Sequence, residues 1–252
     1  MKKIVAVSYL NTRPFADGIS RNFDGTEYVL ETHPPSRCAA IFAAEKADVA
    51  LIPVAALLDP DFNATVQDRY CIGARGKVDS VYVFSDVPIE QIETLTLDGD
   101  SRTSNALTQL LAREWWQIRP QILPAGVFTA RRRYAFVSIG DKAIPLKDQY
   151  PYAYDLAAEW ADYTAAKHGE RLPFVFALWA HRKLDERWLE RWYAALEDGV
   201  SRAAESAHRW AASYGMTPEK AEYYLTRSIE YRFDESMARA LALFLEWNRV
   251  RV

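Results

Sequence analysis

The sequence predicts an α/β protein of two lobes, with a ligand cleft between them and a helical C-terminal region. Three observations predict it. Short β-branched runs alternate with helical runs twice, over 3–52 and again over 94–179, as in βαβ units with mainly parallel sheets. Extended stretches near 80–92 and 178–184 interrupt that alternation, where a chain can cross between lobes. After Asp185 the apolar period becomes helical and stays so. The expected division is 1–85 plus 181–252 for the first lobe and 86–180 for the second.

In order, Lys3 to Ser8 is a strand, and the polar segment Tyr9 to Arg13 leads into a helix near Pro14, a residue favoured at the first helical position. Tyr28 to Thr32 is the next strand; Pro34-Pro35-Ser36 ends it and caps a helix over Arg37 to Lys46. Val49 to Ile52 is an apolar strand closed by Pro53, followed by extended pieces at Tyr70 to Gly73 and Val78 to Ser85. The second alternation begins with strand Thr94 to Leu97, the turn Asp98 to Ser101 and helix Arg102 to Trp116. Strand Ala135 to Ile139 exits through Gly140-Asp141, Tyr154 to Ala166 is helical, and Pro173 to Trp179 is an apolar strand. Trp188, Trp192, Leu196, Ala203, Ala207, Trp210 and Tyr214 lie on one stripe of a single long helix. Thr217-Pro218-Glu219 opens another helix through Leu225, Ile229 to Phe233 is extended, and Asp234 begins a last helix with Met237, Leu241, Phe244 and Leu245 inward.

Composition excludes several classes. The 252 residues are 50% hydrophobic and 26% charged, with 8 Trp, 14 Tyr and 11 Phe, enough apolar material for a packed core rather than a disordered chain. A net charge of −3 is no footprint for nucleic acid, which calls for a clear basic excess. No apolar run approaches the roughly 20 residues of a membrane span. Lys2-Lys3 and the apolar residues to Leu10 imitate a secretory leader, but Asn11, Arg13 and Asp17 interrupt it, so the expected location is cytoplasmic. Cys38 and Cys71 are too few for a disulfide framework and are read as thiols. No Cys/His spacing suggests a metal, and no G-x-G-x-x-G, P-loop, G-x-S-x-G or H-E-x-x-H motif is present.

Ligands of α/β sheets bind beyond the carboxyl ends of the strands, so residues at strand exits are the candidates. Ser8-Tyr9-Leu10-Asn11-Thr12 follows the first strand; Asn11 can donate and accept hydrogen bonds, which suits gripping a hydroxyl or carboxylate, or the cluster caps a helix. Ser101-Arg102-Thr103-Ser104 offers three hydroxyls, a guanidinium and helix-end amides, an anion site or a cap beside a solvated Arg. Ser36-Arg37 has the same character, and Ser80 and Asp141 lie where they could reach the same cleft. Asp141, the one carboxylate of the set, is a candidate acid or base or a turn residue. Arg131-Arg132-Arg133 reads as a solvated face, and the four histidines have no metal-ligand spacing.

Taken together, Ser8 to Pro14, Pro35-Ser36-Arg37-Cys38-Ala39, Asp48 to Val54, Leu97-Asp98 with Ser101 to Ser104, Ile139-Gly140-Asp141, Tyr154-Asp155-Leu156 with Glu159-Trp160, and Pro173 to Ala177 resemble the chorismate dehydratases of the futalosine route to menaquinone. The resemblance runs in order from residue 4 to about 180. It implies a type II periplasmic-binding-protein-like fold and a cytoplasmic lyase without cofactor, monomer or homodimer. Its substrate is chorismate, and loss of water gives 3-[(1-carboxyvinyl)oxy]benzoate. It places Asn11 at the reacting ring with Ser8 and Tyr9 beside it, Ser101, Arg102, Thr103 and Ser104 on a carboxylate, and Ser80, Ser36 and Arg37 in support. The proton acceptor is either Asp141 or the substrate's own enolpyruvyl carboxylate. The chain departs from the family at Arg13, where Lys is usual, and in the longer approach Thr164 to Pro173. The competing class is a cytoplasmic solute-binding or sensor protein for a small organic anion.

Overall fold

A computed structural model of the chain describes residues 1–127 and 133–249. In chain order the elements are β1 (Lys2–Val7), α1 (Arg13–Asn22), β2 (Tyr28–His33), α2 (Pro35–Ala43), β3 (Val49–Pro53), β4 (Thr65–Ala74), β5 (Val81–Ser85) and β6 (Thr94–Thr96). Then come α3 (Arg102–Glu114), β7 (Gln121–Leu123), β8 (Tyr134–Ile139), β9 (Tyr152–Asp155), α4 (Leu156–His168) and β10 (Phe174–His181). The C-terminal part holds α5 (Glu186–Ser201), α6 (Ala203–Trp210), α7 (Pro218–Tyr223), β11 (Glu230–Arg232) and α8 (Glu235–Arg249). The chain forms two compact units, Met1–Gly73 with Phe176–Asp234, and Ala74–Val175 with Glu235–Val252.

The first unit is built on a six-stranded sheet in the order β11-β4-β10-β3-β1-β2. β1 pairs parallel with both β2 and β3, so three carboxyl ends lie side by side; β10 then runs antiparallel to β3, from Ala177↔Pro53 to His181↔Val49. Every residue of β3 is buried, as befits a strand covered on both faces. Helix α1 packs on α5 at a glycine crossing. A Cβ on Gly18 would lie 2.1 Å from the Ala195 carbonyl oxygen, and one on Gly199 would lie 2.0 Å from that of Pro14. The crossing therefore admits no side chain. An aromatic cluster fills the space beneath, with Phe15 edge-on to Tyr70, Trp179 and Tyr231, and Trp192 edge-on to Trp179.

The second unit carries a five-stranded sheet, β7-β6-β8-β5-β9. β6 is parallel to β7 and β8, while β5 is antiparallel to β8 and β9. Its aromatic core joins Trp160 of α4 and Phe174 to Phe244 and Trp247 of α8.

The α/β class and the helical C-terminal region stand as the sequence indicates, and several details differ. The sheets are mixed rather than mainly parallel, because β10 and β5 enter antiparallel. The first passage between units falls at 73/74, so β5 is an interior strand of the second sheet rather than an extended crossing. The return is at 175/176, and α8 joins the second unit where the sequence reading kept all of 181–252 in the first. The single long helix is two: Arg202 (φ −113°, ψ 28°) breaks it between α5 and α6, just after Gly199 and Ser201, weak helix formers. Ser36 does not cap α2; Pro34 holds the cap position and Ser36 sits inside the first turn. Strands β7 and β9, three and four residues long and partly exposed, have no signal in the sequence.

Candidate active site

In the first unit, β1 lies between β2 and β3, so the chain leaves β1 toward one neighbour and returns on the other. The carboxyl end of such a strand is where open α/β sheets bind ligands. Ser8 to Thr12 occupies that end. Ser8 extends the ladder, its N–H donating to His33 O at 3.0 Å, and its carbonyl accepts from Tyr214 Oη at 3.1 Å. Tyr214 in turn accepts from Arg13 Nε at 2.7 Å, and the Arg13 guanidinium stacks on Trp210 at 4.2 Å.

Asn11 is buried, at 7% exposure, and polar groups hold it from three directions. Its Nδ2 donates to Tyr224 Oη at 3.1 Å, its Oδ1 faces Thr12 Oγ1 at 3.4 Å, and its main-chain carbonyl accepts from Tyr231 Oη at 3.0 Å. Full burial, with the Tyr224 ring nearby, pushes the Tyr231 phenol well above its ordinary pKa, so it stays a donor. Tyr214, Tyr224 and Tyr231 all come from the C-terminal region. The sequence reads that region only as an apolar stripe with Tyr214, a helix through Leu225 that includes Tyr224, and an extended piece with Tyr231, because hydroxyl partners have no periodic signature.

Ser36 and Arg37 lie in the first turn of α2, Ser36 half-buried and Arg37 exposed. Beside them Cys38 Sγ donates to Ala6 O at 3.3 Å, and burial pushes its thiol up to about 12. It is a packed thiol, not a nucleophile.

The second unit gathers Ser80, Ser101 to Ser104 and Asp141 toward one end of its sheet. Ser80 precedes β5 and Gly140 follows β8; the antiparallel register Val81↔Ile139 sets them opposite, and Gly140 N donates to Ser80 O at 2.8 Å. Gly140 takes φ +69°, a conformation suited to glycine. The turn before Ser80 has Asp79 at φ +60°. It is held by the buried Asp155 carboxylate, which accepts from Val78 N and Asp79 N (2.8 Å to the latter) while capping α4 through Ala157 N and Ala158 N. In the sequence Asp155 stands out only as part of the Tyr154-Asp155-Leu156 motif; its link to the Ser80 turn spans 76 residues and leaves no sequence signal.

Ser101 is the N-cap of α3, its Oγ accepting from Ser104 N at 3.0 Å. Thr103 and Ser104 are buried in the first turn and Arg102 is exposed. The preceding loop is locked by Asn105, which accepts from Asp98 N at 3.0 Å and donates to Asp98 O at 2.7 Å. Lys142, next to Asp141, reaches Asp98 at 2.9 Å and Asp100 at 3.1 Å. Burial works against its charge, but hydrogen bonds and attraction from the two carboxylates outweigh it and raise the ammonium pKa. A cavity of about 220 Å³ opens here between Thr96, Asp98, Ser138 and Lys142, with Gly99 and Gly126 at its edge. One ammonium against two carboxylates makes this cavity hydrogen-bonding rather than anion-attracting; Arg102 and the α3 amides are the groups suited to an anion.

Among the described residues, no group of three or more His, Cys, Asp or Glu is placed to hold a metal ion, and no helix is long and apolar enough to cross a membrane. Arg131 and Arg132 lie outside the described residues; Arg133 pairs with Glu93 at 2.7 Å.

Two α/β units, each on a mixed sheet with polar loops at its strand ends, are the architecture of the periplasmic-binding-protein-like folds. A structure from Archaeoglobus fulgidus has a TM-score of 0.77 at 16% identity, covering 99% of this chain and 97% of that one. A Candida albicans gene product described as having the generic periplasmic binding protein structural fold gives a TM-score of 0.64 at 12% identity, covering 99% and 90%. The alkanesulfonate-binding protein of Xanthomonas axonopodis pv. citri, bound to MOPS, gives 0.57 at 12% identity, covering 100% and 94%. The chain belongs to the menaquinone biosynthesis family, whose profile matches residues 3–249. A Thermus thermophilus protein named chorismate dehydratase is 27% identical over 208 residues, 74% of this chain and 71% of that relative.

Proposed function

We propose that this chain is a chorismate dehydratase, eliminating water to give 3-[(1-carboxyvinyl)oxy]benzoate. The observation that carries the reading is Asn11, a buried amide held by hydroxyls at the carboxyl end of β1, in a chain of the menaquinone biosynthesis family with a relative of that name. The ring hydrogen on the carbon bearing the enolpyruvyl ether is acidified through the ring double bond by the ring carboxylate. Loss of that proton and of the neighbouring hydroxyl makes the ring aromatic, and the two leave as water. Aromatisation supplies the driving force. The protein's part is to hold the dianion, stabilise developing charge and aid departure of the hydroxyl.

In this reading Asn11 hydrogen-bonds at the reacting part of the ring, with Ser8 and Tyr9 beside it. Ser101, Arg102, Thr103 and Ser104 take a carboxylate through hydroxyls, guanidinium and helix-end amides, and Ser36, Arg37 and Ser80 assist. The side-chain partners of Asn11 are Tyr224 and Thr12, neither of them a base at neutral pH. That favours the enolpyruvyl carboxylate as proton acceptor, with Asp141 the protein alternative. The test is incubation of purified, metal-stripped protein with chorismate, following loss of the diene absorbance and formation of a product lighter by one water. Conversion without added cofactor supports the lyase. Tight binding without conversion shifts the reading to a solute-binding or sensor protein for an organic anion, and an Asp141→Asn variant of full activity leaves the substrate carboxylate as the acceptor.

A further inference from the structure

The segment that reaches Asn11 from the C-terminal region has an unusual backbone. After α7 the helix does not continue in α form: residues Tyr224–Ser228 make one π-helical turn, closed by Ile229 N donating to Tyr224 O at 3.1 Å, an i to i+5 bond. Such turns are rare, and they concentrate at functional sites. This one turns Tyr224 inward at 3% exposure, while the preceding Tyr223 stays 62% exposed. The Tyr224 hydroxyl then accepts an Asn11 amide hydrogen at 3.1 Å, across 213 residues of chain. Past the turn, Tyr231 of β11 donates to the Asn11 carbonyl at 3.0 Å. One short segment thus fixes the side chain and the main chain of the same asparagine.

An unpinned asparagine can turn its amide over, exchanging donor and acceptor. Tyr224 Oη takes one Nδ2 hydrogen while Thr12 Oγ1 donates to Oδ1 at 3.4 Å, so each end of the amide has its own partner, and the second N–H and the second lone pair of Oδ1 remain for the substrate. We infer that Tyr224 is a positioning residue: the π-turn delivers its hydroxyl to Asn11 and thereby sets which end of the amide meets the reacting ring. The inference rests on the dehydratase reading and names a residue that reading does not contain. Its value lies in orientation, and small misplacements of a reacting group cost about 100-fold in rate.

The experiment compares wild type, Tyr224→Phe and the exposed control Tyr223→Phe for kcat and KM on chorismate, with thermal unfolding of each. The expected result is a kcat about 10- to 100-fold lower for Tyr224→Phe, with KM within about 3-fold and a Tm only about 2 to 4 °C lower, and no change for Tyr223→Phe. A Tyr224→Phe protein of wild-type kcat, or one changed only in Tm, overturns the inference and leaves the dehydratase reading standing. Wild type without turnover overturns that reading and this inference with it. A second measurement needs no active-site tyrosine variant. In the nitrogen-15 spectrum of the wild type, with the signal assigned by its absence in Asn11→Ser, one of the two Asn11 side-chain hydrogens exchanges slowly with solvent. Free exchange of both overturns the inference.

Discussion

Asn11→Ala removes both the group assigned to the reacting ring and the partner of Tyr224. The expected outcome is a folded protein without turnover, destabilised by about 1 kcal/mol for the lost hydrogen bond; circular dichroism and the diene assay check the two halves. Arg102 is exposed in the first turn of α3, so Arg102→Ala leaves stability alone and weakens chorismate binding by about 1.5 to 3 kcal/mol if its charged hydrogen bond is lost. A normal KM would return Arg102 to the solvated surface. Cys38, its thiol pushed up to about 12 by burial, stays unmodified by an aromatic disulfide reagent in the native protein and reacts only on unfolding. The polar residues at strand exits were legible in the sequence as helix-capping types, and Ser101 serves as such a cap. The tyrosines that hold them were not, since a phenol on an apolar stripe looks like core until its hydroxyl finds a partner over 200 residues away.

At the level of elements, α5 is fastened to the first α/β segment by charge as well as by packing. Arg191 meets both carboxylate oxygens of Glu27, at 2.8 and 3.0 Å, and lies over the Phe23 ring at 4.5 Å. The Arg191 hydrogen bonds, helped by the Asp24 backbone, pull the Glu27 carboxyl from 4.5 down to about 2. A lowered pKa means the folded state favours the ionised form, so this stabilisation is complete above about pH 4.5 and fades as pH falls toward 2. Thermal unfolding of Arg191→Ala against wild type therefore shows a gap that is level above pH 5, closes through that window, and narrows in high salt. The helix crossing gives a second prediction. Gly18→Ala sets a methyl against backbone atoms that cannot yield, at a cost of about 3 kcal/mol, read as a lower denaturant midpoint. Elements with strong apolar period and clear stops, such as β1, β3 and α3, were readable. The break at Arg202 and strands β7 and β9 were not: a stripe of period 3.6 passes straight through a short interruption, and strands of three or four residues carry too few side chains to alternate.

For the whole molecule, the two-unit α/β organisation was legible but the passages between units were not, because strand pairing decides which sheet a strand joins and pairing is not written locally. β5 looks extended whether it crosses or pairs; only its register with β8 and β9 assigns it. The last helix carries the matching prediction. Phe244 is 1% exposed and packs edge-on against Phe174, 5.2 Å between ring centroids, so Phe244→Ala destabilises the second unit by about 3 to 5 kcal/mol; hydrogen exchange localises the loss to α4, which carries Trp160, and α3. The position of β10 bears on how the protein is made. It lies between β3 and β4, yet it is the tenth strand to be synthesised, and α8 closes the other unit later still. A ribosome-bound chain of the first 175 residues thus holds a first sheet that still lacks β10 and β11, its edges open for the seconds that translation of the remainder takes, and a second sheet whose five strands are all made but which still lacks the cover of α8. The interlaced chain order thus defers closure of the first sheet, across the β3–β10–β4 seam, to the last part of translation.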